Sequence, residues 1–271
     1  MLIDSLKFDQ VIITTHSPTI VDFNKMKTII KLQRTATGVK HYSLNFKEDD
    51  FGKYGFMLND DFAQMLFYDK VLLVEGFSEK YFYNRLLIDD SSFLEYSFKH
   101  NFGVFSVGSI DFRPYRDFLE KLNISVCVKT DNDIFKVPKI TPIKFRYAGI
   151  ERMLNYLSPE GLDSIQNIIG VSEIDEETFR FDNKELKKPI IEKNIEQIRA
   201  VFSAEGVFIT AHNQGFEKDF LEFVFLDTQE NYYLLLEAKL KNLHSFIQDN
   251  NIKLTINDTN KESILLGFMN V

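Results

Sequence analysis

Acidic side chains follow apolar segments of this sequence at the points where predicted strands end. They form three pairs: Glu75 and Glu79, Asp131 and Asp133, and Glu217 and Asp219. The carboxyl ends of parallel strands share one edge of a sheet, so these carboxylates are expected to converge there. Clustered carboxylates repel one another unless cations lie between them, and hard oxygen ligands suit Mg²⁺ or Mn²⁺. Two such ions, about 4 Å apart, are the usual arrangement for phosphodiester cleavage.

The first pair belongs to the segment KVLLVEGFSEK, residues 70–80. Its apolar run Val71–Val74 predicts a buried strand of a parallel sheet. Ser78 is expected to cap a helix over about residues 79–87. Glu79 in the first helical turn would also favour the helix dipole, and this structural alternative explains it well.

Further segments extend the pattern of alternating strands and helices. Strands are predicted at residues 102–106, 124–130 and 207–210, and an amphipathic helix at residues 112–122. Helices are also predicted at residues 149–157, 159–169, 189–202, 231–247 and 262–269. This order predicts an α/β fold with a parallel sheet flanked by helices. The polar helical stretch at about residues 149–204, called the insertion below, interrupts the sheet before its last strand.

The first 59 residues predict a separate unit that ends in a linker at residues 49–59, followed by the main domain at residues 60–271. Val11–Thr15 is predicted to be a buried strand that runs into His16. Residues 29–33 and 40–46 alternate as a hairpin would. The sequence contains no GxxxxGK[ST] loop, so no such loop cradles phosphates.

Composition excludes some classes of protein. A net charge of −8 argues against a wholly basic nucleic-acid-binding surface. The single cysteine, Cys127, lies in an apolar run and is expected to be buried, which fits a reducing compartment. The sequence shows neither a signal peptide nor a run that could span a bilayer, so a cytoplasmic protein without membrane contact is expected.

Residues 135–146 form a predicted loop that contains basic and aromatic residues but no acid. Its cations are Lys136, Lys139, Lys144 and Arg146. Because the loop follows Asp133 closely, these cations are expected to contact DNA phosphates, and Phe135 or Phe145 could stack on a base. A plain solvated surface is the alternative.

Three motifs in order, VEGFSEK, VGSIDF and KTDND, resemble the Toprim domain of topoisomerases, primases and related nucleases. That domain has a Glu after its first strand, a Gly after its second and an Asp-x-Asp after its third. The segments TTHSP and FEKDF and a late lysine resemble one branch, the OLD (overcoming lysogenization defect) family. This family fuses an ABC-type ATPase to a C-terminal Toprim nuclease and includes the nuclease of the Gabija antiphage system.

The resemblance implies a two-metal DNA endonuclease with Mg²⁺ or Mn²⁺ as cofactor. The implied metal ligands are Glu75, Glu79, Asp131, Asp133, Glu217 and Asp219, although Phe216 and Phe220 replace the leucines of the family's last acidic motif. Glu75 and a C-terminal lysine would be catalytic; Lys261 fits best, with Lys239 and Lys241 as rivals.

The same resemblance implies partners. His16 would be the switch histidine of a remnant ATPase domain, although an ordinary strand and turn explains so short a match equally well. DNA, an ABC-type ATPase domain, a further copy of the chain and a helicase-like protein are the implied partners. A non-catalytic Toprim module that binds DNA or assembles with its ATPase is the alternative function.

Overall fold

The computed structural model describes residues 11–21, 29–43, 60–108, 111–175, 177–182, 187–210, 224–226 and 254–256. The chain divides into two compact units, Met1–Phe67 and Tyr68–Val271. Several predictions fall outside the described residues. These concern Glu217, Asp219, Lys239, Lys241, Lys261, the linker at residues 49–59 and the two helices predicted after residue 230.

In the first unit, the predicted strand Val11–Thr15 is wrong. These residues have no regular structure and are mostly exposed, with Ile12 80% accessible. An apolar β-branched run becomes a strand only where another strand pairs with its backbone, and the described residues supply no such strand. A 3-10 turn, Pro18–Ile20, follows His16.

The predicted hairpin of the first unit is confirmed. β1 (Ile30–Thr35) and β2 (Gly38–Ser43) pair antiparallel, with Thr35 opposite Gly38 across a two-residue turn. Gly38 has a φ of 133°, which side-chain-bearing residues rarely adopt. The short helix α1 (Asp60–Met65) is the last element of this unit.

The second unit contains the remaining elements. They are β3 (Lys70–Val74), α2 (Phe77–Asp89), α3 (Ser91–His100), β4 (Phe102–Ser106), α4 (Arg113–Lys121), β5 (Ser125–Thr130), β6 (Ile134–Lys136), β7 (Phe145–Tyr147), α5 (Ala148–Met153), α6 (Pro159–Ile169), β8 (Arg180–Phe181), α7 (Pro189–Ala204), β9 (Val207–Ile209), β10 (Val224–Leu226) and β11 (Leu254–Ile256). A 3-10 turn, Leu154–Tyr156, continues α5, and β10 pairs antiparallel with β11.

A parallel sheet of four strands forms the centre of this unit, in the order β4-β3-β5-β9. Val71 to Val74 of the central strand β3 are each 0% accessible, as expected for a strand covered on both faces. The predicted α/β class, with a parallel sheet flanked by helices, is confirmed. The carboxyl ends of β3 and β5 therefore lie side by side.

The helices confirm one prediction and add one element. In α4 the predicted apolar face is buried, with Tyr115, Phe118 and Leu119 at most 4% accessible. Helix α3 was not predicted. Its start could have been found in the sequence, because the Asp90 side chain caps the helix by accepting hydrogen bonds from the backbone amides of Ser92 and Phe93.

The basic segment at residues 135–146 is not simply a loop, and that prediction is wrong at both of its ends. Its first residues form β6 and its last form β7, and these strands pair antiparallel in a three-stranded sheet with β8 of the insertion. The two strands lie on either side of the prolines and are only three residues long. An alternation of apolar and polar residues cannot be recognised over so short a stretch of sequence. The insertion thereby shares a sheet with the segment that follows the Asp-x-Asp motif.

The insertion is helical as predicted, with α5, α6 and α7 close to the expected positions. Several of its apolar side chains, among them Ile150 and Ile165, are fully buried, so this part of the insertion packs into the core. Cys127 in β5 is 2% accessible, which confirms the predicted burial. Among the described helices, none has the length and apolar character needed to cross a bilayer.

Candidate metal and active site

Glu75 lies directly after β3, where its carboxylate meets the end of the neighbouring strand β5. Glu75 Oε1 accepts a hydrogen bond from the Thr130 hydroxyl and one from the Asp131 backbone amide at 3.2 Å. Its own carbonyl accepts from the Ser106 hydroxyl at 3.2 Å, which ties it to β4 as well. The Glu75 side chain is 21% accessible, so solvent still reaches it. The structure thus brings Glu75 and the Asp-x-Asp segment together.

Glu79 fills the structural role that the sequence left as an alternative. Its Oε2 accepts a hydrogen bond from the Gly76 backbone amide at 2.7 Å, and the residue is 7% accessible. Gly76, rather than the predicted Ser78, is the residue that caps α2. A Cβ at position 76 would lie 2.8 Å from Glu79 Oε2, so glycine leaves room for this carboxylate. The carboxylate satisfies an amide at the positive end of the helix.

The Asp131-Asn132-Asp133 segment is fixed by its middle residue. Asn132 is fully buried, donates its backbone amide to Thr210 Oγ1 at 2.7 Å, and accepts from the Ile150 amide at 3.3 Å through Oδ1. Asp131 and Asp133 remain half-buried on either side. The buried asparagine therefore anchors this segment, and the flanking aspartates stay within reach of solvent.

Arg152 of the insertion also contacts these strand ends, and sequence reasoning missed it. Its Nη1 lies 3.5 Å from Glu75 Oε1, and its Nη2 donates to the Asp131 carbonyl at 3.3 Å. Its Nε donates to the Ala148 carbonyl at 2.9 Å, one turn earlier in α5. No local sequence pattern distinguishes this arginine, because its contacts depend on how α5 docks against the sheet.

Gly149 allows α5 to approach the Asp-x-Asp segment. A Cβ at this position would lie 2.5 Å from the Asp131 carbonyl oxygen and 2.9 Å from Asn132 Cα. Both are backbone atoms, so they cannot rotate away. The helix reaches hydrogen-bonding distance of the strand ends only because residue 149 has no side chain.

The four predicted DNA-contacting cations lie in two different environments. Lys136 and Lys139 are exposed. Lys144 forms an ion pair with Glu177. Its hydrogen bond is the main factor that lowers the pKa of Glu177.

Arg146 is also paired with an acid of the insertion. Its Nη1 lies 3.0 Å from Glu151 Oε1, and Arg180 Nη2 lies 3.8 Å from the same oxygen. The predicted cationic segment contains no acid of its own, yet the insertion brings acids to it. Phe145 packs against Phe181, with ring centroids 6.1 Å apart, while Phe135 is 50% accessible.

His16, the predicted switch residue, is exposed and precedes the 3-10 turn of the first unit. The Ser17 amide donates to Thr15 Oγ1 at 2.8 Å, which makes this a local polar turn.

The acid set fits a hard divalent cation in its chemistry. Carboxylate oxygens at neighbouring strand ends are the ligands that Mg²⁺ and Mn²⁺ prefer. Among the described residues, however, no three His, Cys, Asp or Glu side chains are grouped so that they could hold a metal ion. Glu75 and Glu79 are instead engaged by Arg152 and by Gly76.

A central parallel strand that ends in a glutamate, beside a strand that ends in Asp-x-Asp, defines a Toprim-type α/β domain. Residues 66–133 match the family model described as overcoming lysogenization defect protein-like, TOPRIM domain. The matched range contains Glu75, Glu79, Asp131 and Asp133. The resemblance predicted from the motifs is therefore confirmed.

One characterised protein is similar to part of this chain. The chain is 32% identical over 153 residues to Endonuclease GajA of Bacillus cereus (strain VD045), a match that covers 56% of this chain and 26% of that protein. The chain thus spans about a quarter of that relative.

Two solved structures are also similar. The C-terminal region of the Burkholderia pseudomallei OLD protein is 16% identical, with a TM-score of 0.33 over 68% of this chain and 82% of that one. The corresponding region of the Xanthomonas campestris pv. campestris OLD protein is 20% identical, with a TM-score of 0.31 over 76% and 78%.

Proposed function

We propose that this chain is the nuclease region of an OLD-type protein and hydrolyses phosphodiester bonds of DNA with the aid of Mg²⁺ or Mn²⁺. The observation that carries the proposal is the hydrogen bond from the Asp131 amide to Glu75 Oε1 at 3.2 Å. It joins the Glu of the first motif to the Asp-x-Asp of the third. Similarity to a protein named as an endonuclease supports the same activity.

The proposed roles follow from these positions. Glu75, Asp131 and Asp133 would hold divalent cations, which when bound activate a water molecule and stabilise the leaving oxygen. The Thr130 hydroxyl and the Asp131 amide orient the Glu75 carboxylate. We also assign Glu79 to this set, and its release from the Gly76 amide would free it for a cation.

We propose three further site residues, and these rest on the resemblance to the OLD family alone. Glu217 and Asp219 would supply additional oxygen ligands. Lys261 would stabilise the charge that develops on the cleaved phosphate.

Asp131→Ala tests the proposal most directly. The purified chain is incubated with supercoiled plasmid and Mg²⁺, Mn²⁺ or Ca²⁺, and nicked and linear products are measured on a gel. Wild type should cleave with Mg²⁺ or Mn²⁺, and Asp131→Ala should lose at least about a hundredfold in rate because a carboxylate ligand is gone. Asp163→Ala removes the same charge from the exposed surface of α6 and serves as the control. Equal cleavage by the two variants would refute the assignment.

We also propose an organisation for the chain, which rests on the resemblance of its TTHSP segment to an ABC-type ATPase. We assign residues 1–59 to the C-terminal end of an ABC-type ATPase domain and a linker, with His16 as its switch histidine. Residues 60–271 would be the nuclease domain. The ATPase, a second copy of the chain and a helicase-like protein would then be its protein partners.

One observation favours a second function, a Toprim module that binds DNA or assembles with an ATPase without cleaving. Glu75 is paired with Arg152, and the described residues contain no group of three potential metal ligands. Calorimetric titration with Mn²⁺ separates the two functions, because a catalytic site should bind the ion and lose it in Asp131→Ala. Absence of binding in wild type would favour the non-catalytic module.

A further inference from the structure

The Arg152 guanidinium spans three parts of the chain near the proposed metal site. It lies 3.5 Å from the Glu75 carboxylate, donates to the Asp131 carbonyl at 3.3 Å, and is anchored to its own helix through the Ala148 carbonyl at 2.9 Å. The side chain is only 16% accessible. The insertion therefore places a fixed cation among the ends of the parallel strands.

The position of this cation has an electrostatic consequence. The Glu75 carboxylate lies at the start of the Asp-x-Asp segment, where its Oε1 accepts a hydrogen bond from the Asp131 amide at 3.2 Å and adds its negative charge to this edge of the sheet. A guanidinium beside Glu75 balances that charge without any bound ion. In partly buried surroundings its effect is larger than that of an exposed ion pair.

We infer that Arg152 is a built-in counter-ion of Glu75, which holds this carboxylate in the metal-free protein and competes with a divalent cation for it. The inference rests on the proposed metal site and adds a regulatory element to it. Arg152 is a positioning residue, since it acts through Glu75. A cation that binds Glu75 must overcome the guanidinium, which raises the concentration at which the ion binds.

Arg116 provides a matched control at the other end of the sheet. Its Nε lies 2.7 Å from the Glu120 carboxylate and its Nη1 donates to the Tyr156 carbonyl at 3.3 Å, so it makes the same kinds of contact. Its accessibility of 23% is also similar. Arg116 lines a surface cavity together with Ser125, the first residue of β5. Arg152 instead contacts Asp131, which directly follows the last residue of β5.

The test is Mn²⁺ affinity, measured by calorimetry on the full chain. Arg152→Gln should bind Mn²⁺ about tenfold more tightly than wild type, because a positive charge has been removed from beside the site. Arg116→Gln should bind as wild type does. Arg152→Lys loses the planar guanidinium but keeps a positive charge near Glu75, so its Mn²⁺ affinity should stay within about twofold of wild type. If Arg152→Gln does not fold, Arg152→Met removes the charge while keeping an unbranched chain.

A second measurement separates competition from a structural effect. The gain in Mn²⁺ affinity should vanish when Arg152→Gln is combined with Glu75→Gln, because the carboxylate for which the two cations compete is gone. Unchanged or weaker Mn²⁺ binding by both charge-removing variants would overturn the inference, and so would absence of Mn²⁺ binding to every protein tested. Tighter binding without plasmid cleavage would instead refute the proposed nuclease activity and leave the role of Arg152 supported.

Discussion

Gly149→Ala should destabilise this protein even though alanine is the better helix former. Gly149 lies in α5 and does not have a positive φ. Alanine can therefore adopt its backbone conformation without strain. The obstacle is steric, because the new Cβ would lie 2.5 Å from the Asp131 carbonyl oxygen. Helix and strand end must therefore move apart.

Two opposing terms set the magnitude. Alanine in place of glycine favours a helix by at most about 1 kcal/mol here, because Gly149 is the second residue of α5. Overpacking of a well-packed contact costs about 1–3 kcal/mol, and a contact with backbone atoms lies at the upper end of that range. The net loss in the free energy of unfolding is about 1–2 kcal/mol. Each kcal/mol corresponds to about 2–4 °C in Tm, so the Tm should fall by about 2–8 °C.

Thermal unfolding followed by circular dichroism measures the loss, and Mn²⁺ titration measures its effect on the site. Displacement of α5 should weaken the Arg152 contacts and change the Mn²⁺ affinity. Gly161→Ala is the control, because its Cβ would meet the Glu205 side chain, which belongs to the opposite edge of the sheet. That variant should lose stability without a change in Mn²⁺ affinity. A Gly149→Ala protein with a higher Tm and unchanged metal affinity would refute the close approach.

Three other properties are open to measurement. Burial raises the pKa of the Cys127 thiol to about 12, so a disulfide exchange reagent should label it only after unfolding, and rapid labelling of the native protein at about pH 8 would contradict this. Lys136→Gln with Lys139→Gln should weaken DNA binding and reduce its log–log salt slope by up to about two; an unchanged slope would mean that DNA is held elsewhere. The hydrogen bond from Lys144 lowers the pKa of Glu177, so this carboxylate stabilises the fold above its unfolded pKa and loses that effect as pH falls through the folded value. The Tm difference between wild type and Lys144→Gln should therefore shrink between about pH 6 and about pH 3, and a constant difference would argue against the pair.

The features that the sequence predicted well are those that depend on neighbours in the chain. Val71–Val74 formed a buried strand because an uninterrupted apolar run must be covered on both faces of a parallel sheet. Tyr115, Phe118 and Leu119 lie on one face of α4 because their spacing matches the helical repeat. The order of strands and helices then left few ways to arrange the sheet.

The features that the sequence did not reveal depended on partners that lie far away in the chain. Val11–Thr15 had the composition of a strand, but composition does not supply a second strand to pair with it. Lys144 and Arg146 were taken as part of a cationic surface, yet Glu177 and Glu151 of the insertion pair with them. The spacing of residues in the sequence does not reveal which acidic side chain will pair with a given lysine or arginine in the folded chain.

The role of Arg152 changes the electrostatic argument for a metal site. From the sequence alone, clustered carboxylates were expected to need bound cations, because no other group was known to offset their repulsion. In the structure, a guanidinium lies beside Glu75 and an amide binds Glu79, so the described acids are partly compensated without any ion. The acid cluster alone is therefore weaker support for bound metal than it was in the sequence. The stronger support is that Glu75 and Asp131 end neighbouring strands and are only half-buried, so solvent reaches both residues at the same edge of the sheet.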